Sequence, residues 1–129
     1  MSQYASARLA YTEASVTTAS PERLIVMLYD GAIRFLYAAA GAAREGKPGV
    51  ARERLRRAQA IIDELNWSLD MSQGEISQSL RGIYSFCSRH LIDSILNASP
   101  DGYEQVARLL GSLRESWEQV DVPTDPISA

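Results

Sequence analysis

At 129 residues the chain is long enough for one hydrophobic core and too short for two. Hydrophobic residues make up 46%, as in globular chains, and 13 basic against 16 acidic side chains leave a net charge of −3, so there is no electrostatic case for nucleic acid or an anionic membrane. No uninterrupted apolar run approaches the ~18 residues of a membrane span, the first residues carry no basic end followed by an apolar stretch, and the lone cysteine, Cys87, excludes an internal disulfide, all of which points to the cytosol.

Residues 1–19 are rich in Ser, Thr and Ala, with Tyr4 and Tyr11 as their aromatics and no sustained period. They read as a loose amino-terminal arm ahead of a domain spanning 20–121. Ser20-Pro21-Glu22 is a strong helix start: Ser20 is a capping residue, Pro21 suits the first helical position and Glu22 faces the positive end of the helix dipole. The predicted helix runs to about Arg44. Leu24, Leu28, Gly31, Phe35 and Ala38 mark one face, Ile25, Tyr29, Ala32 and Leu36 flank it, and Val26, Ile33 and Tyr37 lie roughly opposite. A helix apolar nearly all round has more surface than one core face can bury.

Gly46-Lys47-Pro48-Gly49 is a break, and a second helix is predicted from about Val50 to Leu69, with Leu55, Ala58, Ile62, Leu65 and Leu69 as its seam. Its run of Arg52, Arg54, Arg56 and Arg57, interrupted by Glu53, reads as a solvated face whose arginines pair with Glu53 and Glu45. Ser72-Gln73-Gly74-Glu75 has the form of a capping box. The third helix follows to about Asn97, with Ile76, Leu80, Ile83, Cys87, Leu91 and Ser94 as its seam and Tyr84 and Ile95 alongside. After a second break at residues 97–102 the fourth helix shows the most regular heptads: Tyr103, Val106, Leu110, Leu113, Trp117 and Val120. Residues 122–129, with Pro123 and Pro126, form a tail that cannot continue a helix. Short joins make neighbouring helices antiparallel, so the expected fold is all-α: an up-down-up-down four-helix bundle with a loose arm.

Reactive chemistry has little to stand on. A carboxylate di-metal site in a bundle needs paired Glu-x-x-His motifs, and the chain has one histidine, His90. Cys87 and His90 lack two further ligands of their kind for zinc. There is no Gly-x-Ser-x-Gly elbow and no Gly-rich phosphate loop. The reading is no enzyme and no cofactor.

What the pattern leaves over is apolar. Trp67 points away from the second seam, Phe86, Ile92 and Leu96 lie off the third, and Ile25, Tyr29, Ile33 and Ile61 add to the surplus. Two readings fit. A wider core or the arm covers these residues, or grooves between helices take an amphipathic helix from another protein, with exposed aromatics as anchors. The same faces also suit a homodimer, so a dimerising regulatory or scaffold module is the alternative function.

Several strings, in order and at matching separations, resemble the FliS family of flagellin export chaperones. They are Ala10-Tyr11 and the stretch from Ser15 to Ile33, the stretch from Arg57 to Leu65 with Ser68 to Met71, Gly74-Glu75-Ile76 with Leu80 and Ile83-Tyr84, and Leu109-Leu110, Leu113-Arg114 and Trp117. The resemblance implies an antiparallel helical bundle that binds newly made flagellin in the cytosol, one to one. It further implies that the disordered carboxy-terminal segment of flagellin lies in hydrophobic grooves, which prevents premature polymerisation. Delivery to the export gate of the flagellar type III secretion apparatus is implied as well, with Tyr11 matching a tyrosine of the amino-terminal region concerned. The Lys47-Pro48-Gly49 join, the Ala98-Ser99-Pro100 link and the extra Ala and Ser of the arm depart from the family pattern.

Overall fold

Ser20 starts the fold as its side chain allows. Its Oγ accepts the Arg23 N–H at 3.0 Å, Pro21 follows, and helix α1 spans Pro21–Arg44. The computed structural model describes residues 20–121; the arm 1–19, with Tyr11, and the tail 122–129 lie outside the described residues. At the far end of α1, Gly46 takes φ +76°, Lys47 N–H reaches Ala42 O at 2.9 Å and Gly46 N–H reaches Ala43 O at 3.1 Å. This pair of bonds ties off the last carbonyls of the helix and reverses the chain.

Helix α2 spans Pro48–Trp67, shifted by about one half-turn toward the amino terminus from the predicted span, because Pro48 occupies a first-turn position that needs no N–H partner. The predicted capping box does not form. Asp70 does the capping instead: its Oδ1 accepts from Ser72 N–H at 3.0 Å and from Ser72 Oγ at 2.6 Å, opening a single 3₁₀ turn, Met71–Gln73. Gly74 at φ +71° then redirects the chain, and α3, Glu75–Leu96, begins without a side-chain cap. A carboxylate outcompetes a hydroxyl as acceptor, and the left-handed glycine parts Ser72 from the first turn of α3. Between α3 and α4 (Pro100–Asp121) the reversal repeats the first one, with Ser99 N–H to Ser94 O at 2.8 Å and Ala98 at φ +50°.

The described residues hold four α-helices and no strand. Ion pairs set the direction of α4 against α1: Arg23 near the start of α1 meets Glu118 near the end of α4, Asp30 meets Arg114, and Arg44 at the end of α1 meets Glu104 at 2.5 Å and Asp101 at 2.6 Å. The two helices therefore run antiparallel. Helix α1 packs closely on both α2 and α4, and α3 closes the ring against the same two helices more sparingly. The predicted all-α bundle is the fold.

Tyr29, Ala32, Leu36, Ala39 and Ala40 of α1 are fully buried, facing Leu55, Ala58, Ile62 and Leu65 of α2, Tyr84, Cys87 and Leu91 of α3, and Tyr103, Val106 and Leu110 of α4. The core face of α1 is thus centred on the stripe expected as a flank, and Ala38 of the expected main face is exposed. With two close neighbours, α1 buries an arc centred between them, and its alanines permit the approach. Each fully buried Leu or Ile, such as Leu36 or Ile62, contributes roughly 1.5–3 kcal/mol against chain entropy. Helix α1 is also long and apolar enough, by length and composition alone, to cross a membrane, which a count of uninterrupted runs does not detect. Its packing between α2 and α4 accounts for that apolarity.

Candidate functional site

Helix α3 differs from its neighbours. Its inner side buries Ser77, Tyr84, Cys87, Leu91 and Ser94. The rest of the helix leaves large apolar groups in water: Ile76 is 69% exposed, Phe86 46%, Ile92 54% and Leu96 78%. A helix packed as sparingly as α3 leaves furrows along both edges, and each furrow is open and lined mainly by carbon.

The first furrow, about 580 Å³, runs between α2 and α3. Leu55 of α2 and Leu91, Ile92 and Ile95 of α3 form its apolar lining, and Arg52, Glu53, Arg56 and Gln59 lie along its α2 side. Gln59 Nε2 bridges the helices, donating to Ser88 Oγ at 2.7 Å and to Asp63 Oδ1 at 2.9 Å. The second furrow, about 530 Å³, lies between α3 and α4 and is lined by Ile76, Leu80, Leu113 and Trp117, with Glu75 at its edge.

The surplus residues fall into three groups. Trp67, 83% exposed at the end of α2, and Phe86, Ile92 and Leu96 are open to solvent. Ile25 and Ile33 are half-buried against the edge of the core. Tyr29 and Ile61 lie inside the core, which corrects their placement on a surplus face: both turn inward because α1 and α2 bury broader arcs than one stripe. Ile76 corrects the reading in the other direction, being exposed rather than part of the seam, and Leu113 and Trp117 are only half-buried. The α3/α4 furrow is therefore the feature that periodicity missed. Heptads mark Ile76, Leu113 and Trp117 as core without revealing that the last layer of the bundle lacks enough neighbours to close over them.

The chemistry-bearing side chains face inward or pair with one another. Tyr29 and Tyr84 share a buried hydrogen bond at 2.5 Å between their hydroxyls. Burial pushes the Cys87 thiol up to about 11, so at neutral pH it stays protonated and inert. His90 Nε2 meets Gln105 Oε1 at 2.6 Å, and the His90 ring stacks on Phe86 with centroids 5.4 Å apart. Among the described residues no group of three or more His, Cys, Asp or Glu side chains is placed to hold a metal ion. Glu53 accepts from Arg57 and Arg54, each at 2.6 Å, and lies 3.7 Å from Arg56; the guanidiniums of Arg57 and then Arg54 hold its carboxyl below the usual range. Glu45 pairs with Lys47 rather than with the arginine run.

Fold and site together define a class: an all-helical bundle that presents open apolar furrows and keeps its one cysteine buried in the core. The family described as "Flagellar protein FliS" matches residues 3–124, and the chain belongs to that family. It is 36% identical over 110 residues to the flagellar secretion chaperone FliS of Salmonella typhimurium, covering 84% of this chain and 82% of the relative. To the protein of the same name from Bacillus subtilis it is 33% identical over 110 residues, covering 85% of this chain and 82% of the relative. The FliS protein of Campylobacter jejuni is 31% identical over 112 residues, covering 86% and 88%. The family is one of secretion chaperones, a non-enzymatic role.

Proposed function

We propose that this chain is a cytosolic holder of flagellin, keeping the disordered carboxy-terminal segment of flagellin in the two furrows beside α3 until the cargo reaches the flagellar type III export gate. The observation that carries this reading is the apolar surplus of α3 flanked by two open furrows, in a chain of a flagellar secretion chaperone family. An unfolded flagellin terminus must bury its apolar face. In a filament it does so against other subunits, and a chaperone that offers furrows of the same character competes for that face. Ordering such a segment costs on the order of 2–5 kcal/mol, which broad apolar contact offsets.

Backbone chemistry favours a helical guest. An extended segment on a wall of helices finds no strand edge to pair with and leaves its amides unsatisfied, whereas a helix satisfies its own. Trp67, Phe86, Ile92 and Leu96 are the anchors in this reading, with Ile25 and Ile33 at the margin. Tyr11 acts in docking at the gate or in covering a groove. Copurification of the full chain with the carboxy-terminal segment of flagellin from the same cell tests the proposal: a one-to-one complex is expected. A chain that ignores the segment and remains a stable dimer would instead support a scaffold module.

A further inference from the structure

The two furrows beside α3 are similar in size and differ in charge. The α3/α4 furrow carries Glu75. The α2/α3 furrow carries Arg52, Arg56 and Glu53, and that carboxylate is already engaged by Arg54 and Arg57. Arg56 sits at 3.7 Å from the same carboxylate with its side chain 67% exposed, and Arg52 makes no ion pair among the described residues. The α3 side of this furrow, formed by Leu91, Ile92 and Ile95, contributes no charge. One carboxylate shared among several guanidiniums leaves a positive edge beside an apolar floor, on a protein whose net charge is −3.

Building on the reading of this chain as a holder of flagellin's disordered segment, we propose that the α2/α3 furrow selects an amphipathic helix whose apolar stripe is flanked by carboxylates, with Arg52 and Arg56 pairing to that flank. The stripe lies on Leu55, Leu91, Ile92 and Ile95. The charges set which helix enters and in which orientation, and the apolar floor supplies most of the affinity. Because α2 and α3 flank the furrow asymmetrically, with arginines on one edge only, the guest's acidic residues belong on the one side of its stripe that meets α2.

Two synthetic amphipathic peptides with the same Leu/Ala stripe, one flanked by Glu and one by Lys, provide the test by fluorescence anisotropy with the full chain. The Glu peptide is expected to bind about three- to tenfold more tightly at low salt, the range of two exposed ion pairs, with the difference shrinking at high salt. Arg52→Glu combined with Arg56→Glu reverses the preference, Arg81→Glu outside the furrow preserves it, and Ile92→Asp weakens both peptides by at least about tenfold. Equal binding of the two peptides, binding of neither, or a preference unmoved by the Arg52 and Arg56 changes overturns the proposal. So does a free chain that is dimeric and becomes monomeric on Ile92→Asp, which assigns the furrow to a second copy. Binding of flagellin's carboxy-terminal segment to the unaltered chain, measured in parallel, separates the two levels. If the segment binds while the peptides are not distinguished, only the charge selection fails; if the segment does not bind, the flagellin reading itself fails.

Discussion

The hydroxyls of Tyr29 on α1 and Tyr84 on α3 meet at 2.5 Å inside the core, with their rings tilted by 44° and centroids 6.5 Å apart. This contact crosses the bundle, joining the most deeply packed helix to the most sparingly packed one. The bond is a polar tie between α1 and α3 set among apolar neighbours.

Tyr84→Phe takes from the buried Tyr29 hydroxyl the partner that meets it at 2.5 Å, and a buried hydroxyl short of a partner costs about 1–3 kcal/mol. The expected result is a loss of stability of that size in urea unfolding. The double variant Tyr29→Phe with Tyr84→Phe loses clearly less than the sum of the singles, because both ends of the bond go together. Additive losses would mean that the hydroxyl pair does not couple α1 to α3.

The turn from α3 to α4 supplies two glycine tests of opposite sign. Ala98 holds a left-handed φ of +50°, so Ala98→Gly is expected to stabilise the fold by roughly 0.5–1 kcal/mol in spite of the added freedom of the unfolded chain. Gly102 sits in the first turn of α4, where a Cβ would overlap the Ser94 side chain. Gly102→Ala, normally favourable in a helix, is therefore expected to destabilise by about 1–3 kcal/mol. Thermal melts of both variants give the signs.

Cys87 reports on core integrity through pH. Its folded thiol is pushed up to about 11 by burial, above its unfolded value, so the folded state keeps a proton that the unfolded state gives up. Stability from this group is fully present below the unfolded value and is lost as pH rises toward the folded one. Burial shifts Tyr29 and Tyr84 the same way. Stability is expected to fall through the alkaline range between about 9 and 11, less steeply in Cys87→Ala, and thiol labelling of the native chain near neutral pH is expected to be slow. Rapid labelling under native conditions would show that α3 opens far more readily than its packing implies.

Trp67 separates binding from folding. It is 83% exposed, so Trp67→Ala is expected to change stability by no more than about 0.5 kcal/mol. As an aromatic anchor its removal weakens binding of the flagellin segment by about tenfold or more, readable by calorimetry. A large loss of stability with binding intact would place Trp67 in the packing instead.

Heptad spacing made the architecture legible: Leu55, Ala58, Ile62 and Leu65, and Tyr103, Val106 and Leu110, are buried as their periods demand. Helix α1 was harder to read because it is apolar on several faces, and only its two neighbours decide that Tyr29 and Leu36, rather than Ala38, turn inward. The start of α3 hid because a plausible Ser72–Glu75 box competes with Asp70, and the competition turns on acceptor strength and one glycine. Half of the candidate site was visible as off-seam residues, Phe86, Ile92 and Leu96. The α3/α4 furrow was not, since Ile76 and Trp117 carry perfectly good core spacing and their exposure follows from the sparse packing of α3.

Where a guest lies on the bundle decides the role of the two furrows. Methyl chemical-shift mapping of the Ile and Leu side chains, with the flagellin carboxy-terminal segment added to saturation, measures this directly. Large shifts are expected at Ile76, Leu80, Ile92, Ile95 and Leu96 on both edges of α3, with buried Leu36 and Ile62 little changed. A bound segment that leaves the α3 methyls unmoved and shifts only residues elsewhere on the bundle would contradict binding in the furrows.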